Sequence, residues 1–260
     1  MAPIRAFILR APGANCDLEA AFALELAGAQ PQRIHINRLR ENPQLLIDYQ
    51  VLVIPGGFAY GDDVAAGKIL AVQLQTFLAD ALEQFRDAGK LILGICNGFQ
   101  VLIKAGLIVP AAADGHVPTT LTYNHPSGFQ DRWTTLRIIP EHHCPFLEGY
   151  VTMEVPIAHG EGRFVAKDQA TLNQLDAAGQ LVLRYAPGPG QRPETHYNPN
   201  GSQLDVAGAC DKTGRVLGLM PHPERHVLPT QHPRWTRRGL APQGDGLLLF
   251  QNAVRYLQQA

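Results

Sequence analysis

The sequence predicts an α/β protein built on a mostly parallel sheet flanked by helices, and three features carry that expectation. Short runs that are apolar throughout, such as Val51 to Ile54 and Leu91 to Ile95, read as strands buried on both faces. Helical patterns alternate with them, as the crossovers of parallel strands require. Turn-forming clusters punctuate the strand ends, among them Pro12-Gly13-Ala14-Asn15 and Pro55-Gly56-Gly57.

Taken in order, Ile4 to Leu9 reads as the first strand. Leu18 to Ala27 is apolar on nearly every face and stops at Gly28, as a helix with a glycine C-terminus does. Arg33 to Asn37 and Val51 to Ile54 are the next expected strands. Leu70, Leu74, Phe77, Leu78, Ala81, Leu82 and Phe85 recur at three- and four-residue spacing, which predicts one amphipathic helix ending before Gly89. Leu91 to Ile95 follows as a strand and Asn97 to Ala105 as a helix. From Thr119 to Val155 the pattern predicts short strands and long loops. Val216 to Met220 reads as a buried strand and Leu247 to Leu257 as a closing helix. Tyr185 to Ser202, rich in Pro, Gly and Asn, is expected to be a surface loop, and Val227 to Gly246 a second excursion. With no repeat and no interdomain linker, residues 1–260 are expected to form one domain.

The bulk numbers exclude several classes. A chain of 260 residues buries enough surface to need no disulfide or metal staple. Its net charge of −1 gives no field to attract nucleic acid or an acidic membrane. Cys16, Cys96, Cys144 and Cys210 are far apart, which suggests neither a disulfide scaffold nor a zinc ribbon. Met1 to Pro12 lacks the pattern of a signal peptide, and no apolar run approaches the roughly 20 residues of a membrane span. A cytoplasmic protein is expected, without nucleic-acid or membrane partners.

The strongest chemical signal is Gly94-Ile95-Cys96-Asn97-Gly98, set between a strand and a helix. A glycine, a nucleophile and a second glycine at this spacing permit a sharp strand-to-helix bend that presents the central side chain. A helix N-terminus also stabilises a thiolate there. The bland alternative is a buried strand-end cysteine between two packing glycines. A thiolate needs a base and a place for developing negative charge. Pro221-His222-Pro223-Glu224 follows an apolar strand, and in an extended segment His222 and Glu224 point the same way. The carboxylate then orients the imidazole and favours its charged form. The glycine pair of Pro55-Gly56-Gly57-Phe58, after Ile54, and the backbone of Asn97 offer N–H donors to an oxyanion. Each element alone is more ordinary: a surface turn, or a plain Gly-Gly turn. Their placement at successive strand ends on one sheet edge favours catalysis.

Two other patterns point elsewhere and fail. Gly61 to Lys68 resembles a phosphate loop, yet five residues separate Gly61 from Gly67 and Ile69 replaces the required Ser or Thr. His142-His143-Cys144 has no second ligand pair at suitable spacing, so no metal is expected.

Gly94 to Gln100 (Gly-Ile-Cys-Asn-Gly-Phe-Gln) resembles the nucleophile elbow of the class I, or triad-type, glutamine amidotransferases, and Pro221 to Arg225 resembles their His-x-Glu element. Pro12 to Asp17, Pro55 to Asp62, Ala158 to Phe164, Gly218 to Arg225 and Asp245-Gly246 narrow the resemblance to the glutaminase components of phosphoribosylformylglycinamidine synthases. The resemblance implies that Cys96 attacks the glutamine amide to form a γ-glutamyl thioester, which water hydrolyses. His222 moves the protons, Glu224 orients it, and Gly57 and Asn97 hold the oxyanion. Gln100 and Asp63 are candidates for touching substrate or shaping its pocket. His159 and Glu161, in the His-Gly-Glu-Gly segment, either fix a loop or touch substrate. The resemblance further implies a separate synthase subunit that receives the ammonia, often joined by a small third subunit. ATP and Mg belong to that partner, and this chain is expected to carry no cofactor.

Leu121 to Arg137 and Val227 to Gly246 are longer than in the shorter members and resemble the fused, single-chain forms. His125 and Pro126 depart from the acidic residue and serine of the pattern. The alternatives are a triad glutaminase serving another ATP-dependent synthetase, and a non-catalytic regulatory subunit. Gly-Phe-Gln after the elbow and the His-Gly-Glu-Gly segment argue against the first, and retention of all three triad residues argues against the second. Cysteine hydrolases and chaperones with a similar elbow usually carry His directly after the nucleophile, where Asn97 stands here.

Overall fold

A computed structural model describes residues 3–188, 190 and 197–259. The chain opens with β1 (Arg5–Arg10), α1 (Asp17–Leu26) and β2 (Gln30–His35). β2 starts and ends earlier than the Arg33 to Asn37 expected. It pairs only with β1, at the sheet edge, so its residues are largely polar and tolerate Pro31. It stops because His35 Nδ1 accepts the Asn37 N–H at 3.2 Å and caps α2 (Ile36–Glu41).

β3 (Val51–Ile54) coincides with its apolar run. The expected single helix to Phe85 is instead two, α3 (Lys68–Phe77) and α4 (Ala79–Asp87), broken where Leu78 leaves the helical region at φ −131°. Four-residue steps advance about 40° each round a straight helix. The break lets Leu74, Leu78 and Leu82 all stay buried despite that drift. β4 (Leu91–Ile95) and α5 (Asn97–Lys104) match their patterns.

Beyond α5 the chain is more regular than the sequence suggests. β5 (Thr119–Thr122) leads to β6 (Gln130–Ile138) and β7 (Thr152–His159), a long antiparallel pair where short strands are expected. β8 (Arg163–Ala166), α6 (Gln169–Ala177), β9 (Leu183–Ala186) and β10 (Val206–Cys210) have no counterpart among the expected elements. They are short, and tertiary pairing defines them rather than local periodicity. β11 (Val216–Leu219), the single turn α7 (Trp235–Arg238) and α8 (Leu247–Gln259) complete the chain.

The main sheet has the order β2-β1-β3-β4-β11-β10-β9-β6-β7. Among its described strands only β10 and β6 run against the rest, so the sheet is mostly parallel as expected. β5 and β8 form a separate antiparallel pair. No described helix is long and apolar enough to cross a membrane.

The stretch from Tyr185 to Ser202 departs from the surface loop expected. Tyr185 belongs to β9, and Asn200 and Ser202 are buried. Asn200 Nδ2 donates to Gly162 O at 2.8 Å, and the Phe164 N–H donates to Ser202 Oγ at 3.0 Å. Residues 189 and 191–196 of that stretch lie outside the described residues. The excursion from Val227 to Gly246 folds back onto β7, where buried Glu154 accepts from Arg238 at 2.5 Å and Arg234 at 3.2 Å.

The parallel strands β1, β3, β4 and β11 bring four connections to one edge. These begin at Ala11, Pro55, Cys96 and Met220. In open α/β sheets this carboxyl edge is where ligands bind.

Candidate active site

Cys96 stands between β4 and α5 at φ 52°, ψ −106°, a backbone conformation that L-residues rarely adopt. The flanking glycines make the bend possible by close approach. A Cβ on Gly98 would lie 1.9 Å from Ile54 O, and one on Gly94 would lie 2.7 Å from the Gly98 carbonyl. β3, β4 and the start of α5 therefore touch backbone to backbone. Gly98→Ala should force α5 away from β3 and cost about 1–3 kcal/mol of stability. A fall of several degrees in Tm, measured beside the wild type, checks this; an unchanged Tm would show that the bend tolerates a Cβ.

The imidazole of His222 and Cys96 meet over Gly56. The point where a Cβ would stand on Gly56 lies 2.9 Å from His222 Cε1 and 3.4 Å from Cys96 Cβ. His222 Nδ1 and Glu224 Oε1 are 2.6 Å apart, and both side chains are fully buried. The local backbone is a 3₁₀ turn over Pro223–Arg225, not the extended segment expected. Pro223 starts that turn, because its fixed φ suits a helical first position. The His222 N–H donates to Pro156 O at 2.8 Å, tying the turn to β7.

Burial alone disfavours a charged His222. The Glu224 carboxylate and the neighbouring Cys96 and Cys16 thiols outweigh it and hold the imidazole well above its ordinary range. Nε2 makes no hydrogen bond of standard geometry, although both thiols act on the ring. The site thus favours an imidazolium beside the Cys96 thiol.

Gly57 sits opposite Ala14 in an isolated antiparallel bridge. Phe58 N–H donates to Gly13 O and Asn15 N–H to Gly56 O, so the Gly57 N–H is left out of the pairing. Its φ of 133° and the backbone of Gly13 to Asn15, within 3 Å of any added Cβ, require glycine. The turn from Pro12 to Asn15 is therefore the clamp that aims Gly57. The Asn97 side chain braces the elbow from the other side. Its Oδ1 accepts the Ala59 N–H at 3.1 Å, and its Nδ2 donates to Asp62 at 2.8 Å and to Gln100 Oε1 at 2.9 Å.

A cleft of about 190 Å³ opens beside Cys96, with Gly57, Asp62, Gln100, His159 and Glu161 in its wall. Gln100 Nε2 donates to Glu161 O at 2.5 Å, so its amide shapes the cleft by tying the His-Gly-Glu-Gly segment to the elbow. His159 lies deep in the wall. Burial, with the charge of His222 added, pushes its pKa down to about 3, which keeps the ring neutral. Its Nδ1 and Asn124 Oδ1 are 3.2 Å apart.

Asp63 is not in the cleft; it is exposed, and Asp62 takes the place expected of it. Positive φ at Tyr60, Gly61 and Asp62 reverses the chain there, so sequence position does not reveal which side chain turns inward. Cys16 is a second residue the sequence did not single out as chemical, although it lies in the Pro12 to Asp17 segment. Its thiol accepts from Arg225 Nη2 at 3.2 Å. Its Sγ and ligand atoms of His222 and Glu224 lie within 4.8 Å of one another. Because Glu224 already engages His222 Nδ1, that trio suits a proton relay with a buried thiol behind it. His142, His143 and Cys144 form no such group among the described residues. At the would-be phosphate loop, Asp62 Oδ1 accepts the Gly67 N–H at 3.2 Å, placing a carboxylate where an anion would have to sit.

The chain belongs to the glutamine amidotransferases: the family model described as the CobB/CobQ-like glutamine amidotransferase domain matches residues 3–257. Within that class it is similar to proteins named phosphoribosylformylglycinamidine synthase subunit PurQ. It is 42% identical to that of Dehalococcoides mccartyi over the full length of both chains. It is 44% identical to that of Treponema denticola, over 86% of this chain and 88% of the relative. Among solved structures it resembles PurLQS from Thermotoga maritima, with 33% identity, a TM-score of 0.74, and coverage of 98% of this chain and 100% of that chain.

Proposed function

We propose that this chain is the glutaminase subunit of a phosphoribosylformylglycinamidine synthase, releasing ammonia from glutamine for a synthase partner in purine biosynthesis. The observation that carries the reading is the full-length match, at 42% identity, to a relative of that name. The convergence of Cys96, His222 and Glu224 beside an open cleft supports a catalytic rather than a regulatory subunit.

In the proposed reaction the Cys96 thiolate attacks the glutamine carboxamide carbon. The Gly57 and Asn97 N–H groups receive the oxyanion. His222 gives its proton to the departing ammonia, leaving a γ-glutamyl thioester, then takes a proton from the attacking water. Glutamate and the free thiol result. Glu224 holds the ring in the tautomer that does this. A continuous sheet from β2 to β7 supports reading residues 1–260 as one domain. The protein then acts in the cytoplasm, and ATP with Mg works on the synthase subunit, assisted by a small third subunit. The test is reconstitution: the chain with a synthase subunit should make formylglycinamidine ribonucleotide from the formylglycinamide ribonucleotide, ATP and glutamine. Failure with glutamine, while ammonia still works, would sink the proposal.

Free hydrolysis wastes glutamine, so the isolated chain should be a poor glutaminase. One oxyanion donor lies in the Gly56-Gly57 turn, and losing such a donor costs about 10²–10³ in rate. Partner binding near residues 121–137 or 227–246 would supply the 3–4 kcal/mol (about that same rate factor) needed to align it. Glutamate release should therefore rise by about 10²-fold on adding synthase, formylated substrate and an ATP analogue. Equal kcat with and without them would refute the coupling.

A further inference from the structure

We propose that the Asp62 and Glu161 carboxylates form the subsite that recognises the α-ammonium group of the substrate, and so decide that a free amino acid, rather than any primary amide, is hydrolysed. The inference rests on the glutaminase reading and deepens it. Both residues line the cleft that contains Cys96. They come from separate segments, Asp62 from the loop after β3 and Glu161 from the turn after β7, and both bind the backbone at Ala66-Gly67.

Each acid is held by one oxygen and leaves the other for a ligand. Asp62 Oδ1 accepts from Asn97 Nδ2 at 2.8 Å and from the Gly67 N–H at 3.2 Å. Glu161 Oε2 accepts the Ala66 N–H at 3.3 Å. Among the described residues neither has an ion-pair partner within 4.0 Å. Lys104 is the nearby cation, but its Nζ is turned to Leu121 O at 3.1 Å, and burial lowers its pKa. Burial raises the Asp62 carboxyl, and the charge of Glu161 raises it further, against the donors at Gly67 and Asn97 and the charge of Lys104. Lys104 acts on both acids without reaching ion-pair distance, so two carboxylates facing one cleft still favour a positive group entering between them. An ammonium fits that requirement, and the aliphatic arm of glutamine carries one at a fixed distance from its amide. The same field turns the α-carboxylate away, toward the exposed rim of Phe58, Tyr123 and Phe129.

Asp62 also touches the elbow through Asn97, which offers a second, purely structural explanation for it. Asp62→Asn and Glu161→Gln separate the two, because each keeps its acceptor oxygen and removes only charge. The experiment uses the complex assembled with its synthase subunit and compares glutamine with 4-carbamoylbutanoate, which has the same amide and no α-amine. The wild type should favour glutamine by about 10²-fold in kcat/KM, the scale expected when a site built for a charged group meets a substrate without it. Asp62→Asn and Glu161→Gln should each raise KM for glutamine by about tenfold, leave kcat within a few-fold, and leave 4-carbamoylbutanoate unaffected or improved. Equal losses on both substrates, or undiminished preference for glutamine in both variants, would overturn the assignment while leaving glutaminase activity standing. A wild-type complex that releases no glutamate would overturn the glutaminase reading itself, and the assignment with it.

Discussion

Cys96→Ala should abolish glutamate release, by about 10⁴-fold or more, the scale seen when a nucleophile is removed from a triad. The assembled synthase should still work with free ammonia, because the second reaction takes place elsewhere. The substitution removes only Sγ from a residue whose backbone is dictated by Gly94, Gly98 and Ile54, so the bend should survive. A glutamine-like affinity label should modify Cys96 and spare Cys144 and Cys210, which are buried away from the cleft. Cys16 is the informative control. It neighbours His222 but does not line the cleft, so it too should remain unlabelled. Normal glutaminase activity in Cys96→Ala would end the mechanism.

His222→Ala should lower kcat/KM by about 10²–10⁴-fold, the range of positioned proton transfer. Glu224→Ala should cost less, because the carboxylate orients and charges the ring without moving a proton to substrate. The 2.6 Å contact makes the two one unit, so the double variant should be little worse than His222→Ala. Additive losses would separate them. Glu224→Gln offers a second readout. The carboxylate raises the His222 pKa, so its neutral isostere should lower it, and the imidazolium should persist over a narrower range of pH. Imidazole titration by NMR in both proteins checks the sign; an unmoved titration would show that Glu224 has no part in charging the ring.

Much of this arrangement was legible in the residues. β3, β4 and α5 carry strong apolar patterns with a glycine within three residues after each, so local chemistry alone marks where the sheet edge and the elbow fall. His222 and Glu224 were legible as a pair because they stand two positions apart, with only Pro223 between them, although the backbone there is a 3₁₀ turn. The second half was harder to read. β8, β9, β10 and α6 are short, and they exist because neighbouring strands pair with them or pack on them.

What the sequence by itself determined is the alternation of buried strands and helices, the Gly94 to Gly98 bend and the residue types a cysteine hydrolase needs. These follow from side-chain size, polarity and backbone freedom within a few residues. Only the tertiary structure decided that Asp62 rather than Asp63 faces the cleft, that Cys16 stands behind His222, and that the turn at Pro12 clamps Gly57. The physical reason is the same in each case. Direction in a loop of positive φ, and proximity across a sheet edge, arise from contacts between segments distant in sequence, which no local pattern encodes.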